Sequence, residues 1–195
     1  MSDFGIYFQY GVEHILDIQD GYDHILFVMA LCAVYGWSDG KHILILVTAF
    51  TIGHSLTLAL ATLGWIQVNT LLIEFLIPVT IFVTALSNLL REEVSLKGKR
   101  IHFNYLLAII FGLIHGMGFS NFLRAILGQE RIVSQLFAFN VGLELGQIAV
   151  VIVFLMISFV VSKLKVSPRD WKMVVSSMIA GMALLMIKES EFLTP

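Results

Sequence analysis

The chain has 195 residues, 58% of them hydrophobic and 13% charged. That charged share is about half of an ordinary soluble domain's, too little polar surface to cover so apolar a chain in water, whereas lipid tails accept apolar side chains directly. A formal net charge of −2 offers no basic footprint for nucleic acid. Cys32 is the single cysteine and lies in an apolar run, which excludes an internal disulfide and argues against a thiolate metal site.

Met1 to Asp20 is acidic and lacks a basic stretch followed by an apolar one, so it reads as an aqueous segment and not as a signal peptide. Roughly 20 apolar residues cross a bilayer. The predicted spans, in chain order, are Tyr22–Trp37, His42–Trp65, Thr70–Leu90, Phe103–Leu127, Gln135–Val161 and Trp171–Ile187. The first is short, and either begins further upstream or enters the membrane through a break at Gly21. Short polar breaks separate the spans, none long enough to link two domains. The expected architecture is therefore an all-α integral membrane protein, one domain over residues 1–195, with a single bundle of about six transmembrane helices.

Lys41, Arg91, Lys97, Lys99, Arg100, Lys163, Lys165, Arg169 and Lys172 fall on one side of that arrangement, and only Arg124, Arg131 and Lys188 on the other. Basic residues favour the cytoplasmic side. The expectation is a multi-pass protein with its N-terminus outside.

Ionisable groups inside a bilayer are costly and mark function. On the fifth span, at about 100° per residue, Asn140, Glu144 and Gln147 fall at roughly 0°, 40° and −20° and share one face. Asparagine and glutamine alone would serve as hydrogen-bonding glue between helices, but glue does not require a glutamate. Glu74, Thr84 and Asn88 draw a weaker polar edge along the third span. His115 is framed by the pair Gly112 and Gly116, and Gly142 and Gly146 repeat that spacing; such pairs permit close approach of a neighbouring backbone. The repetition predicts that the fourth and fifth spans are neighbours.

Asp23, His24, His54, Glu74, His115 and Glu144 combine imidazole with carboxylate and no sulfur, a set suited to divalent zinc, nickel, cobalt or iron. With the expected orientation, Asp23, His24 and Glu74 form an outer entrance, and His54, His115 and Glu144 a deeper site. His42 and His102 lie at helix edges and need no such reading.

Four strings resemble the HupE/UreJ family of small bacterial membrane proteins: Tyr22-Asp23-His24 with upstream His14, Phe50-Thr51-Ile52-Gly53-His54-Ser55, Phe111-Gly112-Leu113-Ile114-His115-Gly116, and the stretch from Phe139 to Gln147. The resemblance covers His14 to about Val161. It implies a nickel or cobalt permease of the bacterial inner membrane, associated with hydrogenase or urease, with His14, Asp23, His24, His54 and His115 as metal ligands. The family usually places the first histidine six positions before the Asp-His pair, whereas His14 lies nine before Asp23. On a continuous helix that spacing sets the two about 180° apart. Either the chain bends at Gly21 or His14 is not a ligand.

Three functions follow. The first is secondary transport of a divalent nickel- or cobalt-class ion, with protons exchanging for metal at Glu144 and Glu74, since no nucleotide-binding sequence is present. The second is a zinc-dependent intramembrane hydrolase acting on a lipid amide or peptide, with Ser55 or Glu144 taking part. The third is a metal-stabilised accessory protein. In each, Ser55, Glu74, Asn140 and Gln147 support the site, the partners are the lipid bilayer and a metal ion without nucleic acid, and a homo-oligomer is compatible with the composition.

Overall fold

The computed structural model describes residues 3–17, 21–67, 69–91, 99–126 and 132–193. These residues are helical and contain no strand: α1 (Asp3–Leu16), α2 (Tyr22–Cys32), a 3-10 turn at Trp37–Asp39, α3 (Gly40–Thr62), α4 (Thr70–Leu89), α5 (Lys99–Gly118), α6 (Ser120–Ile126), α7 (Ile132–Lys163) and α8 (Pro168–Glu189). Lys97 and Arg131 of the charge-bias argument, and Asp20 of the acidic segment, lie outside the described residues.

The helix starts are legible in local chemistry. Asn69 caps α4 by accepting the Leu72 N–H at 3.1 Å, and Ser167 caps α8 by accepting the Asp170 N–H at 3.0 Å ahead of Pro168. α3 ends where Gly64 adopts a φ of 77°, a left-handed conformation that suits glycine.

Among the described residues, four helical stretches are long and apolar enough to cross a membrane: Trp37–Thr62, Thr70–Leu89, Ile132–Lys163 and Pro168–Glu189. α2 and the apolar part of α5, Asn104–Gly118, are shorter. The first expected span is cut short because the chain leaves the helix after Cys32 and turns at Trp37. The fourth is split at Phe119, between α5 and α6.

Two further expectations are corrected. The N-terminal segment is no free aqueous arm: α1 buries Tyr7, Gly11 and Ile15 and docks on α7. The two glycine pairs do not join α5 to α7. A Cβ on Gly112 or Gly116 would strike the carbonyl of Phe50 or His54 on α3, while one on Gly142 would strike that of Phe8 on α1. Each pair thus brings its own partner close: α3 with α5, and α1 with α7. The sequence signalled a close approach in each case without saying to which helix.

Thr57 reinforces the α3–α5 contact by donating to the Leu113 carbonyl at 2.8 Å. α4 lies against α8, and α2 sits between α4 and α7. Lipid gives no hydrophobic drive for such pairing, so close backbones and cross-helix hydrogen bonds supply the attraction.

Candidate metal centre

His14 occupies the last turn of α1, His24 the first turn of α2, His54 the middle of α3 and His115 the last turn of α5. The bundle brings them together. Ring centroids are 4.6 Å apart for His14 and His24, 5.8 Å for His24 and His54, 6.0 Å for His14 and His54, and 5.2 Å for His24 and His115. One ligating atom from each of His14, His24 and His54 lies within 4.8 Å of the others. Nitrogens sharing a metal at bond lengths of about 2.0–2.1 Å sit somewhat closer than this upper bound.

The bend that His14 needs is present. Gly21 donates to the Asp17 carbonyl at 2.9 Å and then opens α2, and a Cβ there would run into the carbonyls of His14 and Asp17. Glycine lets the chain fold back so that the end of α1 faces the start of α2.

The hydrogen bonds around the rings are arranged in one sense. His24 Nδ1 lies 2.8 Å from Asp23 Oδ1, and His115 Nδ1 lies 2.9 Å from the Phe111 carbonyl. An oxygen acceptor at Nδ1 places the proton there and leaves Nε2 as a bare lone pair, the tautomer that binds metals. His24 Nε2, His115 Nε2, His14 Nε2 and both nitrogens of His54 are buried without a hydrogen-bond partner. His24, His54 and His115 are each at most 3% exposed.

Aromatic rings wall the centre. Phe119 stacks on Phe139 at 5.4 Å, and both lie against His14, at 3.9 and 5.7 Å. Phe27 and Phe50 flank His115 at 5.1 and 5.2 Å. Water is thereby displaced from the rings, which strengthens any interaction with a cation.

A row of hydroxyls on α3 faces the polar stripe of α7. Thr48 donates to Glu144 at 2.7 Å, Thr51 to Gln147 at 3.0 Å and Ser55 to Asn140 at 2.6 Å. Asn140, Glu144 and Gln147 therefore face α3, half-buried to buried. Sequence reasoning missed their partners, although Thr48, Thr51 and Ser55 follow the i, i+3, i+7 spacing of one helix face. Glu74 lies on the exposed side of α4, and Asn88 donates to the Ala30 carbonyl at 2.7 Å. The entrance-then-midplane order is replaced for the histidines by a single cluster in which His24 touches both His54 and His115.

A sequence model of the family described as HupE / UreJ protein matches residues 1–189. The chain belongs to the HupE/UreJ family. No curated protein and no solved structure matches the chain. Family membership and the apolar helices support a metal-related role in a membrane, and among the described residues of this HupE/UreJ chain the three-histidine cluster is a group that could hold a metal ion.

Proposed function

We propose that this protein is a secondary permease that carries a divalent transition-metal ion of the nickel or cobalt class across the bacterial inner membrane. The observation that carries the reading is the convergence of His14, His24 and His54 from three helices, with one ligating atom of each within 4.8 Å of the others and unpartnered ring nitrogens buried on all three. Three neutral imidazoles suit a borderline divalent ion. Asp23 aligns His24, and the carbonyl of Phe111 aligns His115, which stands ready as a further donor. Six crossings complete the bundle when α2 and α5 are counted with the four longer spans.

Glu144 lies off the cluster and accepts from Thr48. Its role in the permease is to take up and release a proton as the ion passes, through the seam that joins α3 to α7. The hydroxyl of Ser55 is committed to Asn140, so the hydrolase reading draws no support from a free nucleophile beside the histidines.

The test is uptake of nickel, cobalt and zinc into liposomes holding the purified protein, together with the metal content of the same preparation. Wild type should show saturable flux, and His54→Ala should lose it. One tightly retained zinc with no flux of any of the three ions would overturn the permease in favour of a resident metal.

A further inference from the structure

A cleft of about 220 Å³ between α2, α4 and α5 lies outside the metal centre. Asn88, Arg91 and Asn104 form its polar end; Leu31, Val34, Val83, Leu107 and Phe111 supply its apolar lining, and Thr84 and Ser87 of α4 line it as well, the Thr84 hydroxyl donating to the Thr80 carbonyl of its own helix at 2.8 Å. Arg91 donates to the side-chain amide oxygen of Asn104 at 3.0 Å, and the Asn104 side-chain amide donates to the Tyr35 hydroxyl at 3.4 Å. Lys172 of α8, fully buried, donates to the main-chain carbonyl of Arg91 and so ties α8 to the end of α4 beside the cleft. From Arg91 to Val83 is about two turns of α4, some 12 Å along the axis, and Asn104 to Phe111 covers nearly as much of α5.

The cleft is thus graded, with Arg91 and the two asparagines toward the helix ends and a mainly apolar lining, broken by the Thr84 and Ser87 hydroxyls, toward their middles. A bilayer is graded in the same sense, with headgroups at helix ends and acyl chains beyond. Among the described residues that line the cleft there is no imidazole or carboxylate, so these residues offer a metal ion no donor of the kind found in the histidine cluster.

We propose that this cleft binds an anionic phospholipid. One acyl chain runs along Val83, Leu107 and Phe111, and the phosphate rests on Arg91. A zwitterionic lipid would supply the same chain but bring an ammonium toward Arg91, so charge selects the anionic lipid. The segment from Arg91 to His102 carries four lysines or arginines against two glutamates, and the local excess of positive charge favours the same choice. The apolar floor is Phe111, whose carbonyl faces His115 Nδ1, so the occupant bears on a residue that orients the metal centre.

Native mass spectrometry on protein extracted from vesicles of equal phosphatidylglycerol and phosphatidylcholine tests the proposal. Phosphatidylglycerol should be retained in preference, and Arg91→Gln should lower its retention about fivefold, the worth of one cationic contact at a membrane surface. Arg91→Lys should keep the preference, and Val83→Trp, which fills the apolar part, should lower retention of phosphatidylglycerol with Arg91 intact. Glycerol phosphate, the headgroup chemistry without a chain, should not compete. Equal retention of the two lipids by wild type, unchanged retention in Arg91→Gln or Val83→Trp, or competition by glycerol phosphate would each overturn the proposal. Should Arg91→Gln fail to fold, the wild-type preference and Val83→Trp decide it.

Discussion

His54 is an imidazole at 0% exposure with both ring nitrogens lacking a hydrogen-bond partner. Such a group costs about 1–3 kcal/mol unless something satisfies it, and on the permease reading a cation shared with His14 and His24 would satisfy one of the two nitrogens. Asp23 acts one step further out. It holds the Nδ1 proton of His24 and so keeps Nε2 turned toward the centre. Asp23→Asn keeps a hydrogen-bond acceptor but removes the charge that raises the basicity of the ring. Metal affinity should fall about 10- to 100-fold, the usual range for such outer partners, while the fold persists. Titration calorimetry in detergent would measure it, and an unchanged affinity would show that Asp23 does not orient the ligand. Glu144 is tested by the isosteric amide. Glu144→Gln retains the Thr48 hydrogen bond but cannot exchange a proton, so uptake into liposomes should be lost with metal content kept. Normal uptake at equal protein level would leave Glu144 as glue between α3 and α7.

The glycine contacts decide which helices can bring their ligands together. Gly11 of α1 lies so close to α7 that a Cβ there would meet the carbonyl of Phe139. Gly11→Val should therefore push α1 away, cost about 1–3 kcal/mol as overpacking, and withdraw His14 from the cluster without altering any ligand. Metal affinity should drop as far in Gly11→Val as in His14→Ala, and a variant that binds metal normally would separate α1 from the site. His24, His54 and His115 could be singled out from the sequence because each stands in an apolar stretch where an ionisable group is out of place. The place of His14 could not, since helical angles say nothing across the bend at Gly21. Likewise the stripe Asn140, Glu144 and Gln147 was visible as a face, but its partner on α3 depends on a tertiary contact, and the break at Phe119 interrupts an apolar run that hydropathy reads as continuous.

Basic residues gather at Lys41, at Arg91 to Arg100 and at Lys163 to Lys172. This bias predicts that the α7–α8 loop is cytoplasmic and the start of α1 is outside. Cys32, the native thiol, is buried and provides a silent background. A membrane-impermeant maleimide applied to intact cells should label Gln9→Cys and spare Val166→Cys, and the reverse pattern would invert the orientation. Such a reversal would leave the ligand geometry untouched but make the cluster face the opposite compartment.

The three histidines all lie within the first 54 residues, yet α1 is held in place by α7, which starts only at Ile132. During synthesis the donors are therefore made long before the helix on which α1 docks. A nascent chain that has inserted α1 to α5 owns every nitrogen of the centre and still lacks the wall at Phe139. On the permease reading proposed above, loading is expected to wait for the last third of the polypeptide, so that a half-made protein does not capture an ion. A fragment ending before Ile132 should emerge from the cell free of metal, and co-expression of the remainder should restore binding; a fragment that retained metal by itself would show that the clamp is dispensable.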